Sequence, residues 1–301
     1  MESKPTIDVA HGAPYHPRLA LTEATLHSVP LHVRRRSLRR EQFPHFLYKY
    51  RKVSGDTPES LERLRDVIVH GLLYLSPPRS FNDPFDMSMK ITFKGTEEDR
   101  MRRIRALVRT QGADMDRKGR RELIKTIASK SSAEIKRDLS SAHERSVDEL
   151  GVYSLAGDPR SILMWSHYGD EHQGICIQFD LARDLRIFLR AFPVGYSHEY
   201  PVVNWVDMNT PEALKSALTR KDEAWTYERE HRIIVPQGAR MFLAMRPEAL
   251  TGLIIGCRAG PGVYGAVDQL LDERRRRGLP AVRQYLAERH SERYEIVLRR
   301  K

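Results

Sequence analysis

Cys176 and Cys257 are the only cysteines among 301 residues, so a disulfide framework is not supported. Both sit in apolar runs, Gly174-Ile175-Cys176-Ile177 and Ile254-Ile255-Gly256-Cys257, and read as buried strand thiols rather than redox centres. No stretch approaches the roughly 18 uninterrupted apolar residues of a membrane span, which leaves a membrane partner unexpected. The opening Met1-Glu2-Ser3-Lys4-Pro5 lacks the charged-then-apolar layout of a signal peptide, and a cytoplasmic location is the expectation. No G-x-x-x-x-G-K-[ST] occurs, so a P-loop reading is unsupported. Zinc-finger, RNP and helix-turn-helix signatures are missing too, as is any internal repeat.

What is present is globular composition with a wet surface: 40% hydrophobic and 30% charged residues, in a chain long enough to bury a sizeable core. The unusual bulk property is a net charge of +11 with a pI near 9.7. Arginine clusters at Arg34-Arg35-Arg36, Arg39-Arg40, Arg102-Arg103, Arg120-Arg121, Arg274 to Arg277 and in the tail Arg299-Arg300-Lys301. Such a surface attracts phosphate-bearing partners, nucleic acid or nucleotide among them. Solvated helix faces interleaved with Asp and Glu are the plainer account of the same clusters.

Residues 1–44 form an N-terminal extension expected to be partly ordered, carrying Pro5, Pro14, Pro17, Pro30 and Pro44 and then the basic cluster. A single α+β domain is expected over 45–301, with a helical insertion at 95–150. It opens on a strand, Phe46 to Arg51, where apolar and polar residues alternate. A helix follows, capped by Thr57, started by Pro58, striped by Leu61, Leu64 and Ile68 and ended at Gly71. Further strands are read at 72–75, 87–93, 152–155, 175–179 (with Ile175, Ile177 and Phe179 inward), 193–197, 232–235, 252–256 and 294–299. Helices are read from Asp158-Pro159 to Gly169, from Thr210, and near 262–277. Short strands with irregular helices between them predict a mixed, mostly antiparallel sheet with flanking helices.

Four segments concentrate polar and aromatic chemistry. Tyr48-Lys49-Tyr50-Arg51 places an aromatic and an arginine at a strand end, where Arg can grip phosphate or ribose; an ordinary edge strand explains it equally simply. Ser76 to Asp86 is a loop stiffened by Pro77, Pro78 and Pro84, carrying Ser80, Phe81, Asn82, Asp83, Phe85 and Asp86. Asn82 and Asp83 can bond to their own backbone and fix its turn. The loop suits ligand positioning or closes over the core. Ile162 to Gly174 packs Trp165, Ser166, His167, Tyr168, Asp170 and His172 around a helix end, offering stacking faces and a group that titrates near neutrality. In Trp225-Thr226-Tyr227-Glu228-Arg229-Glu230-His231-Arg232, strand geometry from Glu228 would put Glu228, Glu230 and Arg232 on one face. Two such carboxylates are costly unless used or paired, either as an acid/base pair or as an ion pair of Glu230 with Arg232 or Arg51.

Taken in order, Tyr48 to Arg51, Phe81 to Asp86, Met164 to Phe179 (with His172 and Gly174) and Trp225 to Arg232 resemble the bacterial family known as domain of unknown function 2971. Ile254-Ile255-Gly256 is similar to its C-terminal part, so the resemblance spans roughly 46–300. The family brings no established reaction. The layout is also similar to that of the ADP-ribosyltransferase superfamily, which implies transfer or hydrolysis at the N-glycosidic bond of NAD as co-substrate. That chemistry needs a carboxylate near an oxocarbenium-like ribose and an aromatic face for nicotinamide. On this reading Glu230 is the catalytic carboxylate and Glu228 orients the acceptor, with His167 and Arg51 also in the catalytic group. Tyr50, Ser76, Ser80, Phe81, Asn82, Asp83, Phe85, Asp86, Trp165, Tyr168, Tyr227 and Arg232 then bind substrate, and a role in defence or stress goes with it. The alternatives are a metal-dependent nuclease or phosphodiesterase with Asp83, Asp86, His167, Glu228 and Glu230 as ligands, and a non-enzymatic nucleotide sensor.

Overall fold

The structure is a computed structural model that describes residues 4–7, 29–53, 58–207 and 215–301. The Thr57 cap and the helix expected from Thr210 lie outside these residues. The described chain is a mixed α+β protein that divides into two compact units, one of Met1–Pro77, Leu150–Val194 and Ala224–Lys301, the other of Pro78–Glu149 and Gly195–Glu223.

The first unit is built on an eight-stranded sheet. Its strands are β1 (Phe46–Arg51), β2 (Gly151–Ala156), β3 (Ile175–Asp180), β4 (Ala191–Pro193), β5 (Glu230–Val235), β6 (Leu250–Ile255), β7 (Arg283–Arg289) and β8 (Ile296–Arg300). They lie in the order β8-β7-β6-β3-β1-β2-β5-β4, antiparallel throughout except where β6 runs parallel to β7. β1 pairs with β3 along its whole length but meets β2 at one register point, Tyr48 opposite Ala156. The sheet therefore has a seam down its middle.

Period-two alternation sends the strand residues to two apolar clusters. Leu47, Tyr153, Leu155, Ile175, Ile177, Phe179 and Ile233 face the larger one. There they meet Leu64 of α2 (Pro58–Arg65) and Val263, Val267 and Leu270 of α7 (Pro261–Arg276). Tyr48, Tyr50, Ala156, Cys176 and Ile254 face the smaller cluster, closed by Met164 and Trp165 of α6 (Ile162–His167). All six residues of β3 are buried, because both of its faces are covered. The inward set Ile175, Ile177 and Phe179 is thus as expected, with Cys176 buried on the other side.

The extension contains a helix, α1 (Leu31–Arg40), which buries Leu38. Arg34 donates to the Ala182 carbonyl at 2.7 Å, and Arg35 pairs with Asp180 at 2.5 Å. The anchoring groups are charged and their partners distant in sequence, so apolar periodicity is weak. Two further elements differ from expectation for identifiable reasons. α6 starts at Ile162 rather than Asp158, because Asp158 Oδ1 accepts from the Arg160 N–H (2.9 Å) and Ser161 caps the helix through the Met164 N–H (3.3 Å). The strand expected over 87–93 shrinks to Lys90–Thr92, since Met87 has φ of 57°, outside the extended region. Lys90–Thr92 runs parallel to Val202–Asn204.

The second unit holds the polar helices expected at 95–150: α3 (Glu97–Gln111), α4 (Arg117–Ala128) and α5 (Ser132–Asp148). Thr96 with Asp99 and Ser131 with Glu134 form reciprocal capping boxes at α3 and α5. Ile91, Ile104, Val108, Ile135 and Trp205 make its small core.

Candidate functional site

The two carboxylates stand at the head of β5. Glu230 opens the strand opposite Ala156, and Arg232 follows opposite Ser154, so alternation puts both on the face of Tyr48 and Tyr50. The Arg232 guanidinium, wholly buried, grips Glu230 in a two-point fork: Nε to Oε1 at 2.8 Å and Nη2 to Oε2 at 2.9 Å. Of the partners considered for Glu230, the structure thus shows Arg232. Glu228 departs from the expected strand geometry. It ends a 3-10 turn (Glu223–Glu228), and Arg229 then takes φ of 44° to swing the chain into β5. Glu228 is 4% exposed and accepts a hydrogen bond from the Tyr168 hydroxyl at 2.8 Å.

A run of aromatic rings leads away from Tyr168. The Tyr227 ring lies 6.0 Å from His167 and 6.1 Å from Trp225, centroid to centroid. His167 also meets Tyr168 edge-on at 6.4 Å. Behind them Trp165 is fully buried, its indole N–H donating to the Pro159 carbonyl at 2.9 Å. Tyr50 is buried beside it, edge-on at 5.1 Å, with its hydroxyl donating to the Asp158 carbonyl at 2.7 Å. Trp165 and Tyr50, expected among the binding residues, are both buried, and the polar atom of each side chain has a backbone partner. Ser76 contributes through its backbone, bridging to Val152 with reciprocal 2.9 Å bonds.

The glycines of the third segment have a steric reason. After α6 the residues Asp170, Glu171 and His172 all adopt positive φ (53°, 52° and 70°), a short left-handed turn that costs on the order of 1 kcal/mol per residue. It is held by bonds from His172 N to Trp165 O (3.1 Å) and from Gly174 N to Gly169 O (2.8 Å). A Cβ on Gly174 would lie 2.2 Å from the Arg51 carbonyl oxygen and 3.0 Å from that of Gly169. Both are backbone atoms, and Arg51 is fixed by pairing with Ile175. Gly174→Ala is expected to lower the unfolding free energy by about 3 kcal/mol, read as a fall in the urea midpoint. A loss below about 0.5 kcal/mol would show that the turn can slide away.

Arg51 stands on the opposite face from Tyr48 and Tyr50. With it stands Lys49, a residue that the sequence reading left out of the site. The Lys49 ammonium reaches across the seam to donate to the Ser154 carbonyl at 2.6 Å and lies 4.9 Å over the Tyr153 ring. The residue is half-buried, with its ammonium held between the Ser154 carbonyl and the Tyr153 ring. Loss of solvation, reinforced by Arg51, pushes its pKa down to about 7 against the opposing pull of Glu230 and Glu228. An unfolded lysine titrates near 10.5. Between those values the unfolded chain binds a proton there that the folded chain does not, so the fold gains stability as pH rises, by at most about 1.4 kcal/mol per unit. Relative to Lys49→Met, the wild type is expected to gain about 2 kcal/mol from pH 7 to pH 9 in paired urea titrations. Parallel curves for the two proteins would mean that the ammonium is solvated.

Ser80, Phe81, Asn82, Asp83, Phe85 and Asp86 belong to the second unit. There Asp83 is buried, and its Oδ1 accepts from the Phe85 N–H at 2.9 Å, the self-made turn that the loop composition predicts. Phe81 N bonds to Pro78 O at 2.9 Å, Asp86 pairs at 3.9 Å with buried Lys221, and Phe85 is exposed. Among the described residues no three His, Cys, Asp or Glu side chains gather as a metal would need, and no helix is long and apolar enough to cross a membrane. Part of the arginine excess has structural work: beside Arg34 and Arg35, buried Arg274 donates to the carbonyls of Pro280, Ile68 and Pro247.

A mixed α+β fold with a buried Glu-x-Glu-x-Arg strand head beside a Trp-Ser-His-Tyr helix defines the class. Residues 164–233, which contain both of those motifs, match the model of the family described as a protein of unknown function, DUF2971. Over this segment the chain is similar to that family, in agreement with the resemblance read from its motifs. No curated protein and no solved structure matches the chain significantly.

Proposed function

We propose that the chain cleaves or transfers at the N-glycosidic bond of NAD, with Glu228 as the carboxylate that meets the ribose. The observation that carries this reading is the buried Tyr168–Glu228 hydrogen bond set among the rings of His167, Tyr227 and Trp225. As the ribose C1′–N bond breaks, its electron pair leaves with nicotinamide and positive charge develops on the ribose. A pre-oriented carboxylate in a water-poor site stabilises that charge most where it develops. The ring faces suit the planar nicotinamide. Glu230, with both oxygens engaged by Arg232, holds the strand head rigid and keeps a fixed negative charge two residues from Glu228. These roles exchange those read from the sequence, because both oxygens of Glu230 are already engaged by Arg232. A water or a nucleophilic acceptor completes the reaction, giving up its proton as it bonds to C1′; a nucleic-acid or nucleotide acceptor suits the +11 charge.

The test is nicotinamide release from NAD by the purified full chain, with and without cell lysate as acceptor, beside Glu228→Gln. Release that disappears in the variant supports glycosidic chemistry at Glu228. No release by the wild type under either condition overturns the reading.

A further inference from the structure

We infer that Cys257 is the reactive thiol of this protein, a modification site for soft carbon electrophiles with His172 as its base and Ser166 as the group that orients the base. The site does not depend on the proposed glycosidic activity. Cys257 lies just beyond β6 and is partly exposed, whereas Cys176 is buried within β3. His172 Nδ1 stands 3.9 Å from Cys257 Sγ, and the other ring nitrogen, Nε2, stands 3.2 Å from Ser166 Oγ. The Ser166 hydroxyl proton points back along α6 to the Ile162 carbonyl at 3.0 Å. A hydroxyl has one proton to give, so Ser166 Oγ is left as an acceptor, and it takes the N–H of Nε2. The tautomer follows: Nδ1 carries the lone pair and faces the thiol. Burial, reinforced by Arg258, holds the ring's pKa below the ordinary 6.5, which keeps the imidazole neutral and able to accept a proton at pH 7.

The backbone aims these groups. His172 sits in the left-handed turn, and its carbonyl accepts from the Arg258 N–H at 3.0 Å while Gly256 N bonds to Gly174 O at 2.9 Å. The segment Gly256-Cys257-Arg258 is thereby stitched to the His172 turn on both sides of the cysteine. Near-parallel stacking on Trp165 (6.3 Å, 15°) fixes the plane of the imidazole. His172, together with Ile162 of α6 and the β7–β8 hairpin residues His290 and Tyr294, also lines a cleft of about 700 Å³. Cys257 is not among the residues that line this cleft, so an electrophile meets the thiol from its own partly exposed side.

In the step that this predicts, Cys257 Sγ adds to the β-carbon of an α,β-unsaturated carbonyl compound. The S–C bond forms as the C=C π bond breaks. The thiol proton passes to His172 Nδ1 and from there to the α-carbon, so no other reactant is required.

The probe is acrylamide, added to the native full chain at pH 7 with adducts located by intact and peptide mass. One adduct is expected, at Cys257, with Cys176 unmodified until the protein is unfolded and none on Cys257→Ser. His172→Asn removes the base while supplying a residue that tolerates positive φ, and is expected to slow the adduct rate at least tenfold. Ser166→Ala, which frees the ring to turn, is expected to slow it several-fold with an unchanged circular dichroism spectrum. Equal rates in wild type and both variants would reveal a merely exposed thiol and overturn the inference. Absence of any Cys257 adduct in the wild type would do the same.

Discussion

Replacing Arg232 with methionine is expected to lower the unfolding free energy by about 3–5 kcal/mol, the largest single-residue effect in the first unit. The guanidinium is fully buried, and its Nε and Nη2 hold both oxygens of Glu230, itself 5% exposed. Methionine keeps most of the volume, so the change takes both fork bonds from a buried carboxylate without opening a large void. Losing them is the costly step: the attraction within a buried pair roughly balances the desolvation of its members, and removing one member leaves much of the other's cost unmet. It follows that Glu230→Met combined with Arg232→Met should be more stable than Arg232→Met alone, recovering over half of the loss. Urea unfolding of the wild type, the single variants and the double variant closes the cycle. Near-additive losses would show that the two side chains are held independently and that the fork is incidental.

The second large effect belongs to turnover. With nicotinamide release as the readout, Glu228→Gln is expected to reduce kcat by about 10²–10³-fold with little change in KM. The amide keeps the shape and still accepts from Tyr168 Oη, but it lacks the charge that answers a developing oxocarbenium. Tyr168→Phe removes the 2.8 Å bond that aims the carboxylate and should cost about tenfold in kcat, with binding again preserved. A nucleotide-binding module without catalysis gives a different pattern, in which neither variant has turnover to lose. If Glu228→Gln instead raised KM with kcat unchanged, the carboxylate would be a ground-state binding group and the proposed chemistry would lie elsewhere.

Features governed by local pattern were legible in the sequence. The alternation of Phe46 to Arg51 gave the central strand, and Gly71, with φ of 67°, ended the helix run where a glycine was expected to. The two-residue period from Glu230 to Arg232 put an acid and its arginine on one face. What escaped has a common physical character, for it depends on contacts between distant segments. Glu228 left the strand face because Arg229 adopts a left-handed conformation that no local signal announces. Tyr50 and Trp165 looked like binding surfaces, but α6 folds back over β1 and takes their polar atoms for carbonyls of the loop that precedes it. Lys49 was hidden by an ordinary strand pattern, since its unusual environment arises only where β1 parts from β2. Cys257 read as one more strand thiol until His172, 85 positions earlier, was brought alongside it. β7, with the polar sequence Arg283 to Arg289, joined the sheet without any alternation strong enough to mark it.

The register point between Tyr48 and Ala156 has a mechanical consequence. Five strands, β8 to β1, form one leaf and three, β2, β5 and β4, form another. Along the line where they meet, the ladder supplies one residue pair, helped by the tether from Lys49 to Ser154. The two leaves are joined as pages are at a binding, with the crease passing Lys49 and the strand that leads back to Glu230. Backbone amides on either side of that crease should exchange with solvent as two separate sets, and a ligand wedged into it would alter the angle between the leaves while leaving each leaf's own ladder intact.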